Sequence, residues 1–345
     1  DVCGQAIADG KIDGMSTARN LLADPEWANK AMEGRKEEIK PCIGCHIGCL
    51  GRLFQGKRMG CAVNPECCSE TEYPHEKAAV SKKIIVVDGG IAGMEAAIEL
   101  ARKGHQVDLY EASNALGGAF IAASSMSFKK EDKRLIQWFE AECHKQGVTI
   151  HMNTPFTAES LKAMQFDEIV VATGATPRTL RGIEGLDQVT IVNAKDALLG
   201  LQPVGDKVVV IGGGLTGIEI TYDMVLSGKK VEVLEMKDSI LGMDVVCAAN
   251  GQMLKQVIKY YNIPVHLSAS ITKFAPGKVY YSVNGEEKYI ECDTIIASIG
   301  YIPNTELYDA LSAEYGEKVH LIGDSKCVSN LLNATWSAAE LVREL

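Results

Sequence analysis

The sequence predicts an α/β fold with two tandem Rossmann-like domains, and three observations predict it. Two short β-branched runs, Ile84-Ile85-Val86-Val87 and Val208-Val209-Val210-Ile211, each lead into a glycine-rich turn. Each turn opens an apolar-periodic stretch, and each stretch is followed by a strand-like run ending in an acid, Glu111 or Glu235. The two copies stand 124 residues apart, measured from Asp88 to Gly212. A repeated strand–turn–helix–strand unit means two nucleotide sites in two parallel-sheet domains.

Along the chain, residues 1–80 lack this rhythm and read as short helices and loops. After the first turn, Met94, Ala97, Ile98 and Ala101 recur at helical spacing, and Gly104 suits a C-cap. Val107 to Glu111 is the next strand, and residues 130–146 read as a helix. Glu168-Ile169-Val170-Val171 is a strand ending at Ala172-Thr173-Gly174. In the second copy the helix runs from Ile218 to Gly228 and the strand from Val231 to Glu235. Thr294 to Gly300 repeats the strand-and-small-turn pattern, Val319 to Ile322 is a last strand ending at Gly323-Asp324, and a helix closes the chain.

The bulk composition narrows the function classes. A chain of 345 residues suggests two or three domains. A net charge of −10 argues against nucleic acid or an acidic membrane surface as partner. No apolar run approaches the roughly 18 residues of a membrane span, and no signal-peptide layout is present, so a cytoplasmic protein is expected. Asp1-Val2-Cys3-Gly4 opens without an initiator methionine, as a chain cut from something longer would. No Ser-His-Asp or paired-carboxylate pattern stands out, and the catalytic residues are not legible.

The second turn is the regular one. Gly212 makes the tight turn, Gly214 lets the backbone approach a pyrophosphate, and Gly217 lets helix and strand pack closely. The helix N-terminus offers free N–H groups to the phosphates. Glu235, 23 residues after Gly212, suits a hydrogen bond to a ribose 2′-hydroxyl, which favours NAD over NADP. The plainer alternative is a glycine turn without a ligand; strand, helix and acid in register weigh against it.

The first turn has Gly89, Gly90, Gly93 and Glu111 in the same frame, but Asp88 replaces the first glycine. Aspartate tolerates positive φ better than most residues, so the turn can survive. Its charge is the larger difficulty. A carboxylate about 5 Å from a pyrophosphate costs a few kcal/mol at an effective dielectric near 20. The competing reading is a Rossmann turn whose cofactor site is impaired or lost.

Six of the eleven cysteines fall between Cys42 and Cys68. Cys42, Cys45, Cys49 and Cys61 are spaced C-x2-C-x3-C-x11-C. Three close thiols on a glycine-bent loop with a distant fourth suit a 4Fe-4S cluster. Structural zinc, which favours two separated pairs, and disulfides, which a chain this long does not need, are the alternatives. His46 reads as a neighbour of the group rather than a ligand, and Cys67 and Cys68 as surplus thiols.

The segment from Pro41 to Cys49, continuing through Leu50-Gly51-Arg52-Leu53-Phe54 and Cys61-Ala62-Val63-Asn64-Pro65, makes the chain recognisable. It resembles the C-terminal part of the iron–sulfur flavoenzymes of the old yellow enzyme group. These include 2,4-dienoyl-CoA reductases, 2-enoate reductases, NADH:flavin oxidoreductases and trimethylamine dehydrogenases. The resemblance implies the end of an FMN-binding TIM barrel over 1–35 and a 4Fe-4S segment over 36–80. An FAD domain over 81–203 and 299–345 would then be interrupted by an NAD(P)H domain over 204–298. Electrons would pass from NADH, or NADPH, to FAD, the cluster and FMN, and on to an activated C=C bond in a small unsaturated substrate.

By the same resemblance, Asp13 to Leu22 matches the last barrel strand and its loop, and Arg19 the arginine near the FMN phosphate. Glu111, Gly117 and Gly118 match the adenosine and pyrophosphate side of FAD. Thr173-Gly174 and Gly300 match the paired crossovers, and Gly323-Asp324 the late FAD motif. Most of the barrel is absent, so the chain reads as a fragment of an enzyme about twice as long. A homo-oligomer is compatible with the resemblance. Rival readings are an amine dehydrogenase with outward electron flow, a glutamate-synthase-like electron-transfer subunit, and a non-catalytic module that keeps only the fold.

Overall fold

The computed structural model describes residues 2–72, 76–242 and 247–345; Asp1 lies outside them. Its frame is two five-stranded parallel sheets. The first has the order β15-β4-β1-β2-β3, from strands β1 (Lys83–Val87), β2 (Gln106–Tyr110), β3 (Thr149–His151), β4 (Glu168–Val171) and β15 (Val319–Leu321). Val86 stands in register with Leu109 on one side and Val170 on the other. Residues 84–87 are all buried, as a strand covered on both faces requires. Helices Ile91–Arg102, Lys130–Lys145 and Leu331–Glu344 cover one face, where Met94, Phe139 and Ala338 share a core with Val86. On the other face Leu161 and Leu311, from helices Ala158–Leu161 and Glu306–Tyr315, pack with Ile85 and Val87.

The second sheet has the order β6-β13-β7-β8-β9, from β6 (Ile191–Asn193), β7 (Lys207–Ile211), β8 (Lys230–Leu234), β9 (Val265–His266) and β13 (Thr294–Ala297). Strand β6 pairs with β13 from upstream of residue 204, so this layer begins earlier than the expected boundary. Three residues are too short a run to announce a strand; only pairing with β13 makes them one. A three-stranded antiparallel sheet, β10 (Ser270–Ala275), β11 (Lys278–Val283) and β12 (Glu286–Glu291), packs Phe274, Val279 and Ile290 against Val209 and Ile211. The short strands β5 (Ala175–Pro177) and β14 (Tyr301–Pro303) pair antiparallel where the chain passes between the two large sheets.

The stretch ahead of β1 contains no strand among its described residues. Residues 13–18 are irregular and Arg19–Ala23 is a short helix, where the last barrel strand and its loop were expected over 13–22. A barrel strand depends on neighbours to satisfy its N–H and C=O groups, and this chain supplies none there. The segment is nevertheless firmly docked. Trp138 Nε1 donates to the Glu38 carbonyl at 2.9 Å, and the buried Thr335 hydroxyl to the Ala62 carbonyl at 2.9 Å. Trp336 Nε1 donates to the Cys61 carbonyl at 3.0 Å. No helix among the described residues is long and apolar enough to cross a membrane.

Candidate functional site: two nucleotide turns and a cysteine cavity

The first turn follows β1 directly. Asp88 adopts φ 84°, the left-handed conformation that Gly212 holds at φ 107° in the second turn. The aspartate therefore keeps the turn. Its side chain makes a contact that glycine could not: Oδ1 accepts the Gly90 N–H at 2.8 Å. Gly90 opens the helix Ile91–Arg102, so this N–H is among those available to a phosphate. Burial first, and then the Glu111 charge, push the Asp88 carboxyl up to about 7; the Gly90 N–H and Lys195 pull the other way without cancelling the rise.

The other first-turn candidates converge here. Gly117 N–H donates to the Gly89 carbonyl at 2.8 Å, and Gly118 lies against the Gly90 backbone. Gly93 packs so closely on the turn that a Cβ there would lie 2.0 Å from the Asp88 carbonyl oxygen. Gly323 meets Ala92 from the opposite side, and its N–H donates to Ser337 Oγ at 3.0 Å. Asp324 accepts the Ser329 N–H at 3.0 Å, while burial raises its pKa.

The second turn repeats this geometry. A Cβ on Gly217 would lie 1.9 Å from the Gly212 carbonyl oxygen, whereas one on Gly214 would meet open space. Both glutamates do work the sequence did not disclose. Glu111 accepts the Gly89 N–H at 2.9 Å and the Ser113 N–H at 2.7 Å. Glu235 accepts the Gly213 N–H at 2.5 Å and the Lys237 N–H at 2.8 Å. Each acid thus braces its own turn. A carboxylate has about four lone-pair positions, so these bonds leave two on each acid unused.

Thr173-Gly174 and Gly300 lie on the paired crossovers. Thr173 Oγ1 donates to the Asn304 carbonyl at 3.0 Å, and Asn304 Nδ2 returns a bond to the Thr173 carbonyl at 2.9 Å. The Asn304 N–H also donates to the Gly174 carbonyl at 3.0 Å. Asn304 escaped the sequence reading because a lone loop asparagine carries no pattern.

Cys42, Cys45, Cys49 and Cys61 line one cavity with Arg19, Leu22 and His46. The cavity is partly open to solvent. Burial pushes the Cys45 thiol up to about 12, and the other three sulfurs add to the rise. Such thiols ionise only against a strong positive charge, which is what a thiolate-ligated metal group supplies. The Ile47 N–H is directed at Cys45 sulfur, and those of Val63 and Asn64 at Cys61. Among the described residues no three His, Cys, Asp or Glu groups converge tightly enough for a single ion; the four thiols surround a space. The donor set and its N–H groups fit a cluster. His46, at φ 58°, is paired with Arg19 on one side, and its Nδ1 lies 2.7 Å from Asn250 Oδ1. Arg19 is therefore engaged at the cysteine cavity. Cys67 lies 3.8 Å from Cys68, and neither lines the cavity.

The same fold appears in known proteins. The family model for pyridine nucleotide-disulphide oxidoreductase matches residues 82–333. Cinnamate reductase of Clostridium sporogenes is 39% identical over 346 aligned positions, covering 100% of this chain and 51% of the relative. NADH oxidase of Thermoanaerobacter brockii is 37% identical, with coverages of 98% and 53%. Among solved structures, a 2-naphthoyl-CoA reductase complex superposes with a TM-score of 0.93 at 32% identity, covering 100% of this chain and 52% of that one. The chain thus spans about half the length of the relatives it matches, which are 2-enoate reductase-type flavoenzymes. The paired turns, the two parallel sheets and this match place the chain in the pyridine nucleotide-disulphide oxidoreductase family, whose fold binds FAD and NAD(P)H.

Proposed function

We propose that this chain is the electron-input half of an NADH-dependent ene-reductase. The residues after β1, with Gly117, Gly118, Thr173, Gly174, Gly323 and Asp324, hold FAD, and Gly212 to Gly217 with Glu235 hold the nicotinamide nucleotide. Cys42, Cys45, Cys49 and Cys61 hold a 4Fe-4S cluster. When bound, FAD supplies acceptance of a two-electron hydride, and the cluster supplies release of electrons one at a time toward FMN and an activated C=C bond. Arg19 meets the FMN phosphate in the longer polypeptide.

One observation carries this reading. The helix Leu331–Glu344, which follows Gly323-Asp324, also grips the loop of the fourth cysteine through Thr335 and Trp336. A single rigid element thus spans the first nucleotide turn and the cysteine cavity. The chain's part is to orient the nucleotides and keep both sites on one core. The test is the visible spectrum of anaerobically purified protein before and after NADH. Flavin bands over a broad iron–sulfur absorbance, bleached by NADH, are expected; protein that stays colourless after reconstitution with iron, sulfide and FAD refutes the reading.

Glu235 bears on the choice of nucleotide. A 2′-phosphate would meet its carboxylate, so Glu235→Gln, which keeps the shape and one acceptor oxygen, should weaken discrimination against NADPH about tenfold, or ~1.4 kcal/mol. The ratio of kcat/KM for NADH and NADPH measures it; an unchanged ratio removes Glu235 from the recognition set.

A further inference from the structure

A buried ion pair stands between the cysteine loop and the helix Ile91–Arg102, and neither nucleotide turn uses it. Lys40 Nζ lies 3.9 Å from Glu95 Oε2, the two side chains being 10% and 1% exposed. That distance permits attraction but no hydrogen bond. Among the described residues Glu95 Oε2 has no hydrogen-bond partner at all. Lys40 is pinned from its other sides. Its backbone N–H donates to Asp24 Oδ2 at 2.9 Å, and Nζ sits 4.2 Å from the Trp138 ring centroid and 5.6 Å from that of Phe139.

Stability is a poor reason for this arrangement. Desolvating two charges costs several kcal/mol per ion, and well-packed apolar replacements of buried pairs are often neutral or better. Position offers a better one. Lys40 precedes Cys42 by two residues, and Cys42 and Cys61 pack against the same core as Trp138 and Phe139, over whose rings the ammonium sits, so the charge lies on the core that backs the cysteine cavity. Glu95 follows Gly93 of the first turn by two residues, and Glu99, Arg102 and Glu66 also act on it.

We propose that Lys40 is a fixed cation that favours the reduced state of the cysteine-bound cluster, and that Glu95 holds the ammonium in place and offsets part of its field. This rests on the reading of the four cysteines as cluster ligands. Reduction adds one electron and makes or breaks no bond; the donor is the flavin, or dithionite in the test. A cation held in a poorly polarisable site lowers the energy of the added negative charge, and a carboxylate beside it raises that energy.

The test is an EPR-monitored, mediated redox titration of FAD-loaded protein at about pH 8, where Glu95, pushed by burial up to about 7, is mostly ionised. Lys40→Met removes the charge and keeps an apolar chain over Trp138. At fixed potential its reduced-to-oxidised ratio should fall about tenfold, a midpoint lower by about 59 mV for one electron. Lys40→Arg should restore the midpoint, and Glu95→Gln should raise it. The flavin potential should move far less than that of the cluster. An unmoved cluster midpoint in Lys40→Met with full iron content overturns the proposal. If Lys40→Met fails to fold or loses iron, Glu95→Gln decides, and a midpoint that is unchanged or lower overturns it. Wild-type protein that binds no iron overturns the cluster reading, and this proposal with it.

Discussion

Cys45→Ala protein should still bleach its flavin with NADH at the wild-type rate while losing electron transfer beyond it. Cys45 is the thiol on which the other three sulfurs act, and burial already holds it far above the ordinary thiol range. On the proposed reading, alanine there removes one of four thiol ligands and leaves Cys42, Cys49 and Cys61 to hold the cluster. The nucleotide turns are built from other segments, on the two large sheets, so their chemistry should persist. Rapid-freeze EPR after mixing with NADH separates the two outcomes: flavin reduction without a cluster signal is expected. A cluster signal of normal size and rate would remove Cys45 from the ligand set.

Asp88→Gly should tighten FAD binding, and Asp88→Asn should flatten its dependence on pH. The wild-type carboxyl sits well above its ordinary value of 3.8, at about 7, because burial and then Glu111 disfavour its charge. Between those two values the folded apo-protein holds a proton that the unfolded chain has released. Stability of the apo-protein therefore falls as pH rises across that window. A pyrophosphate beside Gly90 would push the carboxyl higher still, so FAD binding should take up a proton above about pH 7. Affinity should then fall by up to about tenfold per pH unit above that point.

Glycine keeps the positive φ without strain, removes the charge and frees the Gly90 N–H. Near pH 8 the gain should be one to two orders of magnitude in Kd, from a repulsion of a few kcal/mol at about 5 Å. Flavin fluorescence titration across about pH 6 to 9 measures both effects. Wild-type affinity that does not change with pH, or poorer flavin retention in Asp88→Gly, would count against this account.

How much was legible follows from the reach of each interaction. The parallel strands and the two turns were readable because their cause is local: β-branched runs buried on both faces, small residues where the chain must bend or touch, and an acid one strand later. Even the tolerance of Asp88 for positive φ was legible, since it belongs to the residue type. Strand β6 was not, because three residues become a strand only when β13 pairs with them. Nor was the bracing of the turns by Glu111 and Glu235, which needs carboxylate and N–H groups 22 residues apart to meet.

By itself, then, the sequence determined the doubled α/β unit, the residues able to turn beside a phosphate, and a set of thiols too closely spaced for an ordinary framework. Tertiary structure alone decided which of these share a site. It set Cys61 against the last helix, locked the crossovers through Asn304, and placed the Lys40 ammonium beside Glu95 across 55 residues of chain. The physical reason is one of range. Backbone preference and hydrophobic period act over a few residues, whereas hydrogen bonds and buried charges act through space and take their partners from wherever folding brings them.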